Sequence, residues 1–138
     1  MVRKNDKVSK SASGIAKVAK GDAPLRFSFK MFDSSDEEIC PKTFKEGYVQ
    51  TLMERLKALS GWTVLEFVTP RGKSARNHPI SWDDTSRPHG FAHLPEELRE
   101  SPAFQFTLTA NEHGRVHGLL IDDTFHVIWL DQDHRLYP

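Results

Sequence analysis

From Leu25 onward apolar and polar residues alternate, with Leu25, Phe27, Phe29 and Met31 interleaved by Arg26, Ser28 and Lys30. That is the period of a strand with one buried face. Asp33 to Pro41 lacks any period and reads as a loop. Tyr48, Leu52, Leu56 and Leu59 then recur every three to four residues, which predicts an amphipathic helix with Lys45, Glu54 and Lys57 off its apolar stripe. Thr43 and Glu46 have the spacing of a capping box at its start, and Gly61 supplies its stop. Thr63 to Val68 predicts a second short strand, broken by Pro70. Residues 71–95 carry turn and loop punctuation, and Pro95 to Arg99 predicts a short helix.

The last third predicts three antiparallel strands in a meander. Phe104, Phe106, Leu108 and Ala110 alternate with Gln105, Thr107 and Thr109; a turn at 111–114 leads into 115–121, and Asp122-Asp123 turns into 124–130. A loop of Glu112, His113 and Gly114, with Gly114 left-handed, pairs Asn111 with Arg115. In that register Phe104, Phe106, Leu108, Ala110, Val116, Gly118, Leu120, Phe125, Val127 and Trp129 share the face that the helix covers. The opposite face carries Gln105, Thr107, Thr109, Arg115, His117 and His126, with Leu119, Ile121, Ile128 and Leu130 toward its other end. Leu119 lies opposite His126, making His117 and His126 diagonal neighbours. Shorter or longer first loops of even length would set Arg115 and His117 among phenylalanines, burying charge without a partner. The expected fold is therefore α+β, an antiparallel sheet with one main helix on one face.

Composition sharpens this picture at the N-terminus. Charges cancel over the 138 residues, yet residues 1–24 hold Arg3, Lys4, Lys7, Lys10, Lys17 and Lys20 against Asp6 and Asp22. That stretch is poor in large apolar residues, so a disordered basic arm ahead of a single domain at 25–138 is expected. The lone Cys40 has no internal bridging partner, and no apolar run suits a signal peptide or a membrane span, which points to a cytoplasmic, membrane-free protein.

The polar face supplies the candidate chemistry. His117 with His126 or His134 suits acid–base transfer, Arg115 suits stabilising charge on a phosphorane, and Tyr137 suits a hydrogen bond or base stacking. Those parts can cleave RNA through its own 2′-hydroxyl, with no cofactor and no metal. A metal site assembled from His117, His126 and His113 or His134 is the weaker alternative, since no HExxH, paired CxxC or acidic calcium loop occurs. The P-loop and nucleophile-elbow motifs are absent as well. Arg71, Lys73, Arg76, His78 and Trp82 form a basic and aromatic segment suited to nucleic acid.

Asn111-Glu112-His113-Gly114-Arg115-Val116-His117-Gly118 and the segment from Trp129 to Pro138 resemble a family of uncharacterised bacterial and phage proteins. The resemblance extends over most of residues 25–138 and implies no particular activity. A second resemblance is to the RelE/YoeB toxin superfamily, through Arg115 as its strand arginine and His134 and Tyr137 as its C-terminal histidine and tyrosine. It implies a compact α+β fold, mRNA cleavage on the ribosome and an antitoxin or other protein partner. The chain departs from that pattern in having one long helix where two are usual, a long loop at 71–95 and near-neutral charge. The resulting expectation is a metal-independent endoribonuclease of toxin or phage-defence type. The alternative is a non-catalytic protein-interaction or nucleic-acid-binding module that presents Leu119, Ile121, Ile128 and Leu130.

Overall fold

Residues 22–69, 77–109 and 113–138 are described by the structure, a computed structural model. The basic arm lies mostly outside them, as do Arg71, Lys73 and Arg76. The described residues form β1 (Arg26–Ser28), α1 (Tyr48–Ser60), α2 (Val64–Val68), β2 (His78–Pro79), α3 (Glu96–Arg99), β3 (Ala103–Thr107), β4 (Arg115–Ile121) and β5 (Thr124–Asp131), with a 3₁₀ turn at Trp82–Asp84. The fold is α+β, built on a five-stranded sheet in the order β1-β5-β4-β3-β2. The expected meander is present in β3, β4 and β5. The sheet is nonetheless mixed, because β1 runs parallel to β5.

The helical elements differ from the pattern in two places. Helix α1 follows Gly47 at φ 83 with no side-chain cap, so Thr43 and Glu46 do not form the predicted capping box. Its approach is held from a distance instead: Lys45 N donates to Gln132 Oε1 at 2.8 Å and Gln132 Nε2 donates to Thr43 O at 3.1 Å. The capping box lies at Thr63 and Glu66, and 64–68 is helical where a strand was predicted. Glu66 N donates to Thr63 Oγ1 at 3.1 Å and Thr63 N to Glu66 Oε1 at 2.8 Å, so two orphan helix-end donors are satisfied locally. Two reciprocal bonds outweigh the strand preference of Thr63, Val64, Phe67 and Val68, whose apolar members pack inward.

Helices α1 and α2 cover one face of the sheet. Tyr48, Leu56 and Leu59 of α1 and Val64 and Phe67 of α2 are buried there with Phe104, Phe106, Val116, Leu120, Phe125 and Val127. Phe67 is the aromatic centre, its ring 5.6 Å from Phe125 and 5.9 Å from Phe104.

The second face is covered too, by chain with little regular structure. Ile39, Cys40, Ile80, Phe91 and Leu136 descend on Leu119, Ile128 and Trp129, forming a second apolar cluster. This overturns the predicted protein-binding surface, because Leu119 and Ile128 are fully buried and Ile121 and Leu130 are partly so. Among the described residues the large exposed apolar side chains are Phe29, Phe32, Val49, Met53 and Leu65.

Two register details set this second face. The last β3–β4 pair is Thr107 with Arg115, and Leu108 N donates to Gly114 O, a register four residues away from the predicted one; Asn111, the predicted partner of Arg115, lies outside the described residues. The slip is an even number of residues, which leaves every β3 side chain on its predicted face. Gly114 takes the predicted left-handed φ of 71, and a Cβ there would strike the Asp131 carbonyl. In β5, Gly118 pairs with Val127 but His117 pairs with Trp129, leaving Ile128 as an extra residue in a bulge. Past the bulge the alternation inverts. Trp129, predicted on the helix-covered face, joins the second cluster, and Asp131 comes onto the side of His117.

Candidate functional site

The bulge leaves two polar rows across one half of the second face. His78, Gln105, His117 and Trp129 follow one another from β2 to β5, and Thr107, Arg115 and Asp131 form the adjacent row. Each is placed by strand alternation, and Trp129 and Asp131 also need the extra residue at Ile128.

At the centre His117, wholly buried, shares a 3.0 Å hydrogen bond between Nε2 and Asp131 Oδ2. Burial pushes the His117 pKa below the usual imidazole value, more than the Asp131 hydrogen bond raises it, and the charges of Arg115 and His134 add to the lowering. A neutral ring donating through Nε2 follows. Burial alone would raise the Asp131 carboxyl, but bonds from His117 and from the backbone N–H groups of Arg135 and Leu136 bring it below the ordinary range. Arg135 N donates to Oδ1 at 2.8 Å and Leu136 N to Oδ2 at 3.0 Å. Asp131 thus ties the C-terminal segment to the sheet.

Arg115 is left uncommitted by this arrangement. Its strand partner Asp131 is occupied by three donors, and Asp133 faces Lys45 at 3.4 Å. The Arg115 Nε is buried with no hydrogen-bond partner, and so are Gln105 Oε1, Thr107 Oγ1 and His117 Nδ1. An unsatisfied buried polar atom costs about 1–3 kcal/mol, so these four atoms are places where a bound water or ligand group would be stabilising.

At the rim, His78 is exposed and held by two bonds: Nδ1 lies 2.9 Å from Pro79 O, and Nε2 lies 2.9 Å from Gln105 Nε2. With a carbonyl at Nδ1 and an amide nitrogen at Nε2, the proton belongs on Nδ1. The Tyr137 ring lies 6.5 Å from His78, and its hydroxyl accepts from Ser81 N at 2.8 Å. His134, at φ 57, is partly exposed, and burial followed by the Arg115 charge lowers its pKa.

No protein-family model, curated protein or solved structure matches the chain.

Of the residues singled out by sequence, Arg115, His117, His134, His78 and Tyr137 belong to this half of the face. His126 does not. It pairs with Leu119 as predicted, but burial and then Lys30 lower its pKa, whereas Asp131, Arg115 and His134 act on His117. Trp82 packs its ring 4.9 Å from Phe91 and 6.5 Å from Trp129, anchoring its loop in the second cluster. No group of three or more His, Cys, Asp or Glu among the described residues is arranged to hold a metal, so the four histidines considered for one do not converge. No described helix is long and apolar enough to cross a membrane. Sequence reasoning overlooked Gln105, Thr107 and Asp131 as site residues. For the first two a signal existed, since both alternate with phenylalanines in a strand that the register buries. For Asp131 none did, because its face depends on the bulge.

Proposed function

We propose that the protein is a metal-independent endoribonuclease of toxin or phage-defence type, with the RNA phosphate carried by Arg115. The observation that supports this reading most is the Arg115 guanidinium, whose buried Nε has no hydrogen-bond partner while Asp131 accepts from His117 and two backbone N–H groups and Asp133 faces Lys45. A planar cation with a donor left unpaired suits a dianionic phosphorane. The 2′-hydroxyl oxygen attacks phosphorus while its proton passes to an imidazole, and the P–O5′ bond breaks as the 5′-oxygen takes a proton. The products are a 2′,3′-cyclic phosphate and a 5′-hydroxyl. His78 and His134, both solvent-accessible, are the proton-transferring groups in this scheme, with Tyr137 beside them. His117, sealed from solvent, is a positioning residue.

Purified protein is incubated with RNA, alone and with translating ribosomes, in excess EDTA, and the new ends are analysed. Cleavage to cyclic phosphates is expected, reduced about 100-fold or more in Arg115→Ala and in His78→Ala with unchanged melting temperatures. Binding without cleavage would leave the nucleic-acid-binding module as the reading, and neither binding nor cleavage by the folded protein would remove RNA from consideration.

A further inference from the structure

Trp129, whose ring centroid lies 6.4 Å from that of His117, also walls a cavity of about 370 Å³ that is lined by no other residue of the two polar rows. Asp33, Arg87, Gly90, Ala92 and His93 are among its other lining residues. A few hundred Å³ of mostly apolar space with a small number of convergent polar groups is the build of a small-molecule site.

The polar groups decide what class of molecule it suits. Arg87 is the only guanidinium in the lining, and its donors are spent: Nε and Nη2 on Asp36, Nη2 also on Glu38, and Nη1 on the Ser86 carbonyl and hydroxyl. It has little left for an anion. Asp33 is the opposite case. Its Oδ1 accepts from Ser35 N at 3.1 Å and Ser35 Oγ at 2.7 Å, and its Oδ2 accepts from Trp129 Nε1 at 2.9 Å. A carboxylate oxygen accepts about two hydrogen bonds, so Oδ2 keeps one position, and the nearest basic nitrogen, His93 Nδ1 at 3.8 Å, is beyond bonding distance. Asp36 and Glu38 together outweigh Arg87 by one negative charge, which adds to the field of Asp33. His89 and His93 are the remaining titratable groups facing the space.

We propose that this cavity binds a small organic cation, its ammonium group on Asp33 Oδ2 and its apolar body against Trp129. A charge-assisted bond to a largely enclosed carboxylate, with an aromatic wall beside the cation, gives the contact its selectivity. The proposal does not depend on the RNA reading, since the two sites share no charged residue.

Three probes with one aromatic body test it on the full chain by calorimetric titration: tyramine, the uncharged 4-propylphenol and the anionic 3-(4-hydroxyphenyl)propanoate. Saturable tyramine binding is expected, with 4-propylphenol about tenfold weaker and the anion not bound, since a hydrogen bond to a charged group is worth a factor of that order. Asp33→Asn should weaken tyramine to the level of 4-propylphenol, and Ala92→Phe, which fills the space and keeps Asp33, should abolish binding without lowering the melting temperature. If Asp33→Asn does not fold, the probe series still tests charge and Ala92→Phe still tests location. Equal affinity for all three probes, no tyramine binding by the folded wild type, or unchanged binding in Ala92→Phe would each overturn the proposal.

Discussion

Asp131 accepts hydrogen bonds from the His117 ring and from the backbone N–H groups of Arg135 and Leu136, and its exposed fraction is 1%. Removing its charge strips three donors of an ionised acceptor in a dry site, so Asp131→Asn should cost about 3 kcal/mol in urea unfolding. The same pair sets a pH dependence. Burial, acting more strongly than Asp131, holds the His117 pKa below its ordinary 6.5, so on acidification the unfolded chain takes up that proton before the folded one does. Stability is then full above about pH 6.5 and falls as pH drops below it. The Asp131 carboxyl is depressed below its ordinary 3.8, so its contribution is kept above that value and lost at lower pH. Both effects act in one direction. Unfolding midpoints at pH 7.5 and 5.5 should differ, lower at 5.5, and His117→Asn should shrink the difference; equal slopes for wild type and variant would place the titration elsewhere. The individual chemistry of Arg115, His117 and His134 was legible in sequence, but which of them are sealed from solvent was not.

At the scale of elements the β4–β5 pair matters most. Gly118 sits beside the bulge, where a Cβ would run into the His126 carbonyl and the Phe125 ring, with no flexible side-chain end to give way. Gly118→Ala should therefore destabilise by about 3 kcal/mol, with a fall in Tm as the readout, since overpacking against backbone forces the strands apart. A loss below 1 kcal/mol would mean that the bulge relocates cheaply. The pattern located β3, β4, β5 and α1 because each has one apolar face of the right period. It misassigned Thr63 to Val68 because a run of six residues can show either period, and the capping-box spacing of Thr63 and Glu66 was not read there.

For the molecule as a whole, the second face is roofed by loops and by the C-terminal segment. Leu136 is fully buried in that roof, and Ser86 bonds to the backbone on both sides of it, N to Leu136 O at 2.8 Å and Oγ to Arg135 O at 2.7 Å. Leu136→Ala should cost about 3 kcal/mol through the cavity it leaves, and should raise binding of a hydrophobic dye as the second cluster loosens. Dye binding equal to wild type would show that the roof holds without it.

Local pattern alone determined the α+β class, the meander, the Asp122-Asp123 turn and, Trp129 excepted, the set of side chains that share a face with the helices. Period and turn chemistry act over a few residues, and an even slip at the first hairpin changes no side chain's face. Tertiary structure decided the parallel placement of β1 against β5, the roof over the second face and the union of His117 with Asp131. Those depend on contacts between residues far apart in the chain and on one extra residue at Ile128, whose inversion of the alternation has no signature in the residues around it.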